Sequence, residues 1–330
     1  MKALVLASPG NIELRELPVP VPTPGKALVK IKAASLNRRD EWIREGKYPN
    51  IKFGVTMGSD GAGVVEAVGD EKDQPWVGQE VVINPNIDWG PDPEVQSGKY
   101  TILGMPIDGT FAEYALVNVD RLQHKPFHLD FLQAATLPLG ALTAFRALFR
   151  RGGLRAGHNI LISGFGGGVA QFAFLFAQAA GANVYVTSGS DEKVEKAMKM
   201  GARGAYNYKK ESTYTDLWKT KGGFDVVIDS AGGDQINNFI KVLRPHGRIV
   251  FYGATNGLPG KVDLYRMFWN QLSLVGTTMG NDHEFNEMLA FVSKHQIRPM
   301  VDSIRPFDRI VQSFPDITRS NKVGKIVFQI

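Results

Sequence analysis

The sequence predicts an α/β protein: a doubly wound parallel sheet joined to a β-rich unit. Three observations carry that prediction. From His158 to Ser190 the chain reads strand, glycine-rich turn, helix, strand and polar loop. Residues 1 to about 120 hold short β-type runs punctuated by proline and glycine, as in PVPVPTPG at 18–25. From Asp130 onward, helical and strand patterns alternate, as they do where crossover helices link parallel strands.

In chain order, the β-type runs of the first part are Lys2 to Leu6, Ala27 to Ala34, Gly61 to Val68, Glu80 to Ile83 and Phe111 to Val117. In the second part, the apolar run Ile160 to Ile162 suits a strand buried on both faces, with Asn183 to Thr187 as its parallel neighbour. Val169 to Ala180 is long enough for the helix between them. The turn before it does not follow strict G-x-G-x-x-G spacing. Gly164, Gly167 and Ala170 fit a looser G-x-x-G-x-x-A pattern, with Phe165 among them. Glycines there let a pyrophosphate approach free N–H groups and the positive end of the helix, which marks Gly164, Gly167, Gly168 and Val169 as candidate dinucleotide contacts. The alternative is a tight structural turn. Later strands are expected at Asp225 to Asp229, Arg248 to Tyr252 and Leu272 to Thr277, preceding SAGG, GATNG and TMG. Polar or glycine-rich carboxyl ends of parallel strands are where an open α/β sheet binds its ligand. The tail, Lys322 to Ile330, reads as one more strand returning to the first domain.

A chain of 330 residues with 43% hydrophobic content can bury two cores. MKALVLASPG has one lysine and too short an apolar run for a signal peptide, and no stretch reaches membrane-spanning length. A cytoplasmic protein without a membrane partner is expected. The net charge of +5 is spread among interspersed acids and bases. Its one tight basic cluster, Arg146, Arg150, Arg151 and Arg155, is read as an exposed helix face rather than a nucleic-acid site. Zero cysteines exclude disulfides and any thiolate ligand or nucleophile.

Six separated segments occur in one order: KIKAASLNRRD (30–40), MGSDGAGVVEAVG (57–69), VGQEVV (77–82), DGTFAEYALV (108–117), AATLPLGALTAFRAL (134–148) and the glycine turn. Through them the chain resembles the medium-chain dehydrogenase/reductase superfamily over essentially its whole length. The resemblance implies a GroES-like catalytic domain at 1–124, completed by 297–330, and a Rossmann domain at 125–296. By motif, the catalytic zinc positions of the alcohol-dehydrogenase branch fall on Asn37, Ser59, Asp60 and Leu139. Zinc wants three N, S or O protein ligands in tetrahedral array, which Asn37 and Leu139 do not supply. Residues 84–104 look like the structural-zinc lobe without a cysteine. No metal is therefore expected, and the chain resembles the zinc-free quinone oxidoreductases and enoyl reductases.

An NAD-selective site places Asp or Glu at the end of the second Rossmann strand, where this chain has Ser188. Ser188 and Ser190 can donate to a 2′-phosphate, and Lys193 can add a charge-assisted bond. In the resembling reductases the tyrosine of an N-Y pair packs there, here Tyr208 after Asn207. NADP(H) is the expected cofactor. Asp191 is the competing ribose ligand, although with Ser190 as N-cap it also reads as a first-turn acid. The resemblance places Asn37, Thr143, Tyr252, Gly253, Thr278 and Met279 near the nicotinamide. Arg44, Gly46 and Tyr48 match the R-x-G-x-Y segment of a proposed proton donor, so Tyr48 is the acid candidate. Asp40 is read as structural, pairing with Arg38 or Arg39, or as catalytic.

The expected function is zinc-independent, NADPH-dependent hydride transfer to a quinone or an α,β-unsaturated carbonyl. A zinc-type alcohol dehydrogenase-like enzyme and a catalytically weak NADPH-binding sensor or structural protein are the alternatives. Related proteins pair through the last Rossmann strand, so the partners expected are a small-molecule substrate and a second copy, paired through Leu272 to Thr277.

Overall fold

The computed structural model describes residues 1–210, 212–319 and 321–330. They form two compact units: 1–142 with 280–319 and 324–330, and 143–210 and 212–279 with 321–323.

The second unit is a six-stranded, wholly parallel sheet. Its spatial order is Gly204–Asn207, Asn183–Ser188, Asn159–Ile162, Phe224–Asp229, Leu243–Phe251, Ser273–Gly276. Order reverses between the third and fourth of these strands, creating the switch point where such sheets take ligands. The helix Gly168–Ala179 follows the glycine turn and buries Phe172, Phe174 and Phe176. On the sheet, Leu161, Tyr185, Phe224, Val227 and Ile249 form a core with Phe239 and Ile240.

In the first unit, a sheet runs Val301–Pro306, Lys325–Gln329, Lys26–Ser35, Asp60–Val68, Glu80–Ile83, Leu122–His124, and Tyr114–Asn118 also pairs with Lys26–Ser35. A hairpin of Lys2–Ser8 and Asn11–Glu16 packs against it. Phe111 lies edge-on to Phe328, with centroids 5.9 Å apart, at the centre of an aliphatic core. The tail strand joins the sheet antiparallel to Lys26–Ser35, with Val327 opposite Ser35, while Asp60 also lies opposite Ser35 on the other side. Three strands distant in sequence thus align Lys325, Ser35 and Asp60 at one end.

The second compact unit begins later and ends earlier than the Rossmann domain expected at 125–296. Residues 125–142 and 280–296 pack in the first unit rather than with the nucleotide-binding unit. Phe131–Ala134 rests on the strands around residues 35 and 60, and the Leu139 N–H donates to Asp60 at 2.8 Å. The helix Asp282–Lys294 is tied down by Arg121, whose guanidinium makes a forked contact with Asp282 at 2.6 and 2.7 Å. The basic cluster is not a single exposed face either. Arg146 is buried in the helix, whereas Arg150 and Arg155 are exposed.

Candidate functional site

In the second unit, the candidate residues collect along the carboxyl edge of the sheet. Gly164 takes φ +65° and Gly166 takes φ +112°, conformations that L side chains rarely adopt. Gly167 is the N-cap of the helix and Gly168 and Val169 begin it, so their N–H groups belong to its positive end. Gly166 is the glycine that the spacing argument passed over. A Cβ there would stand 2.7 Å from the Lys322 carbonyl oxygen and 2.9 Å from Lys193 Nζ. The turn therefore passes directly beneath the lysine.

Lys193 belongs to the corner at the end of the second strand. Ser188 pairs in register with Asn207, and the Tyr208 N–H donates to the Ser188 carbonyl at 3.0 Å. A Cβ on Gly189 would meet the Tyr208 hydroxyl at 2.5 Å and Lys209 Cε at 3.3 Å. Ser190, Lys193, Tyr208 and Lys209 thus surround this corner with donors that are half-buried or exposed. Ser188 is 2% exposed and forms its floor. Asp191 is engaged elsewhere: it accepts from Asn207 Nδ2 at 2.9 Å and lies 3.7 Å from Lys210. The Asn207 bond, followed by the Lys210 charge, holds its carboxyl below the ordinary range.

Further along the edge, Tyr252 and Gly253 follow the fifth strand, and Thr278 and Met279 follow the sixth. The Tyr252 N–H donates to the Asp229 carbonyl at 3.0 Å. Burial raises the Tyr252 phenol above its usual range, so it keeps its proton at neutral pH. Met279 is buried at φ +24°. Thr143, also buried, opens this unit.

In the first unit, Asn37 caps the short helix Arg38–Arg44. Lys325 Nζ donates to Asn37 Oδ1 at 2.5 Å and to Asp60 Oδ2 at 2.9 Å. Asp60 also accepts from Ser35 Oγ at 2.9 Å and from the Leu139 N–H. Lys325 and Asp60 are 2% and 0% exposed, so this is a buried ion pair in which both partners make further hydrogen bonds. Two atoms beside it are not met: Asn37 Nδ2 and Asp40 Oδ1 are buried without a partner. Asp40 does not make the arginine pair expected of it, and its Oδ2 instead accepts from the Asn37 N–H at 2.8 Å. Burial pushes its carboxyl up to about 6.

Tyr48 is brought to this network indirectly. The Arg39 guanidinium lies over its ring, 4.8 Å from the centroid, and donates to Ser59 Oγ and to the Leu103 carbonyl at 3.0 Å. Tyr48 is half-buried against the core.

The donor set at Asn37, Ser59, Asp60 and Leu139 does not fit zinc. Its one carboxylate already neutralises a buried ammonium, Ser59 accepts from a guanidinium, and Leu139 offers only backbone. Among the described residues no group of three or more His, Cys, Asp or Glu could hold a metal ion. His124 instead stacks on Trp76, and His128 Nε2 lies 3.1 Å from the Ile297 carbonyl oxygen. In the 84–104 lobe, Trp89 is buried, donates to the Asp92 carbonyl at 2.9 Å and meets Tyr100 edge-on.

Sequence reasoning did not single out Gly166 or Lys325. GFGGG hid the first among equivalent letters. Nothing local to GKIVF signals that its lysine is buried.

Two family models match the chain: an alcohol dehydrogenase GroES-like domain at residues 23–127 and a zinc-binding dehydrogenase at residues 168–294. Among curated relatives, a zinc-type alcohol dehydrogenase-like protein, YogA, of Leptosphaeria maculans is 36% identical over 97% of this chain and 94% of its own length. A quinone oxidoreductase of Mus musculus is 29% identical over 94% and 90% respectively. Among solved structures, one titled as an NAD-dependent alcohol dehydrogenase superposes with a TM-score of 0.93 at 33% identity, covering both chains fully. Among the described residues no helix is long and apolar enough to cross a membrane.

Proposed function

Since the chain belongs to the medium-chain dehydrogenase/reductase superfamily, a family of oxidoreductases that use a nicotinamide dinucleotide, we propose that it is a zinc-independent, NADPH-dependent reductase of quinones or α,β-unsaturated carbonyls. The observation that carries this reading is the occupied zinc corner. Where the alcohol-dehydrogenase branch polarises a carbonyl with a metal, Lys325 already neutralises Asp60 and engages Asn37. Without a Lewis acid, hydride transfer is easiest to an acceptor that its own conjugation activates, as in quinones and enones.

Preference for NADPH is argued from this chain's own residues, because the names of its relatives include both NAD-dependent alcohol dehydrogenase and quinone oxidoreductase. No carboxylate stands at Ser188. Lys193 lies over the glycine turn, and Asp191 is satisfied by Asn207 and Lys210. A 2′-phosphate carries roughly −1.5 to −2 charges at neutral pH, for which this corner offers cationic and hydroxyl donors.

The bound dinucleotide supplies the hydride, and the protein positions and polarises. Gly164, Gly166, Gly167, Gly168 and Val169 would hold the pyrophosphate on backbone N–H groups, and Ser188, Ser190, Lys193 and Tyr208 would hold the 2′-phosphate. Thr143, Tyr252, Gly253, Thr278 and Met279 line the nicotinamide end. Asn37 Nδ2 donates to a carbonyl oxygen of a bound ligand, and Tyr48 is the candidate proton donor. A second copy of the chain is proposed as partner. Among the described residues no strand pairs with the outer edge of Ser273–Gly276, and the preceding helix Leu264–Trp269 exposes Tyr265 (81%) and Trp269 (79%), a patch liable to aggregation if bare. A cytoplasmic location completes the proposal.

The test is oxidation of NADPH and NADH against a panel of quinones, enones and aldehydes. Turnover of quinones or enones with NADPH favoured supports the reading. NADPH binding with no acceptor turned over would indicate the sensor alternative.

A further inference from the structure

We propose that Lys325 is a positioning residue: its ammonium clamps the Asn37 carboxamide through Oδ1, so that Nδ2 presents its hydrogens to the carbonyl oxygen of a bound ligand. The inference rests on the reading of Asn37 given above and adds the group that sets its orientation. An ammonium can only donate, so the carboxamide must turn its oxygen toward Lys325 and its NH2 away. The contact at 2.5 Å fixes that choice, and the NH2 so directed is buried without a partner. A buried amide donor left unpaired is unfavourable and suited to an acceptor that arrives with a ligand.

The clamp is itself held. Lys325 is held on its other side by Asp60, whose carboxylate also accepts from Ser35 Oγ and the Leu139 N–H. Strand register places Ser35 between Asp60 and the tail strand. Asn37 is 7% exposed, so water competes little for the oriented donor. In the alcohol-dehydrogenase branch this end of the sheet supplies metal ligands. Here an ammonium is bonded to two of the residues at those positions, Asn37 and Asp60.

The variants are Asn37→Ala, the paired replacement Asp60→Asn with Lys325→Met, which leaves no lone buried charge, and the triple combination. Three quantities are read: the Kd for NADPH, the Kd for 2′-phospho-ADP-ribose, which lacks the nicotinamide, and kcat with 1,4-benzoquinone. The paired replacement is expected to weaken NADPH binding or lower kcat at least tenfold, leaving 2′-phospho-ADP-ribose within twofold. The triple variant should be no worse than Asn37→Ala. A loss in NADPH affinity identifies the nicotinamide carboxamide as the acceptor of the bond, and a loss confined to kcat identifies the quinone.

The proposal is overturned if the paired replacement changes neither quantity, or if its loss multiplies with that of Asn37→Ala. An inert Asn37→Ala would instead remove the underlying reading of Asn37, and the clamp with it. Lys325→Arg, which keeps a cationic donor and the ion pair, is expected to retain more function than the paired replacement. An Arg variant that folds yet loses as much would overturn the clamp in favour of simple packing.

Discussion

The corner around Ser188 and the corner around Lys325 both set cations beside hydroxyl groups, yet they are built for opposite purposes. At the first, Lys193, Tyr208 and Lys209 stand half-buried or exposed around a small floor residue, the corner proposed above for the 2′-phosphate. At the second, the cation is already matched by Asp60 inside the protein, and Asn37 Nδ2, Arg39 Nε and Asp40 Oδ1 stay buried without a partner. Solvent-facing positive charge attracts and retains a charged ligand. A satisfied buried ion pair adds no net attraction, but it fixes the geometry of whatever it touches. Substitutions at the first corner should therefore act on cofactor affinity, and those at the second on stability and turnover.

The largest effect should follow from breaking the buried pair on one side. Lys325→Met alone strands the Asp60 charge and is expected to destabilise the fold by roughly 3–5 kcal/mol, whereas adding Asp60→Asn should recover most of that. Denaturant unfolding of the two variants measures the difference. Next, Ser188→Asp sets like charge against a 2′-phosphate and should weaken NADPH by about 3 kcal/mol, near a hundredfold, with NADH gaining in preference. Because Ser188 is buried, Ser190→Asp places the same charge at a half-buried position and should shift preference in the same direction. Unchanged NADPH Kd values in both would remove the phosphate assignment.

A comparable effect is expected from Asp40. Burial raises its carboxyl from 3.8 to about 6, so the folded protein binds a proton more tightly than the unfolded chain does. The stability this contributes is complete below pH 4 and is lost as pH rises through 6, costing about 3 kcal/mol by neutral pH. Asp40→Asn can still accept from the Asn37 N–H, and it should flatten that part of the profile and raise Tm at pH 7. An unchanged slope between pH 4 and 6 would show that Asp40 does not titrate there. The smallest effect should come from Lys193→Ala, about 1 kcal/mol in NADPH affinity and none in NADH affinity, shrinking further in high salt.

The same contrast explains how much of the molecule could be read in advance. The first corner was legible because its parts lie within about fifty residues and follow local rules: strand period, glycine punctuation and a helix start. The expected helix at Val169 to Ala180 differs by one residue from the observed Gly168–Ala179. The second corner depends on strand register between residues 265 apart in sequence, which no local pattern encodes. The compact units differ from the expected domain limits for a similar reason. Residues 280–296 continue the alternating pattern of the nucleotide-binding unit but are anchored by the side-chain contact of Asp282 with Arg121. Phe111 to Glu113 read as the start of a strand, yet they precede Tyr114–Asn118 and approach the N-terminal hairpin, where the Leu4 N–H meets the Phe111 carbonyl at 2.8 Å.

The most direct measurement is the metal content of the purified protein, taken beside its NADPH-dependent quinone reduction before and after dialysis against a chelator. Less than about a tenth of a zinc ion per chain, with turnover unchanged by the chelator, is the predicted result. Stoichiometric zinc, with turnover lost on chelation and restored by the metal, would contradict the account.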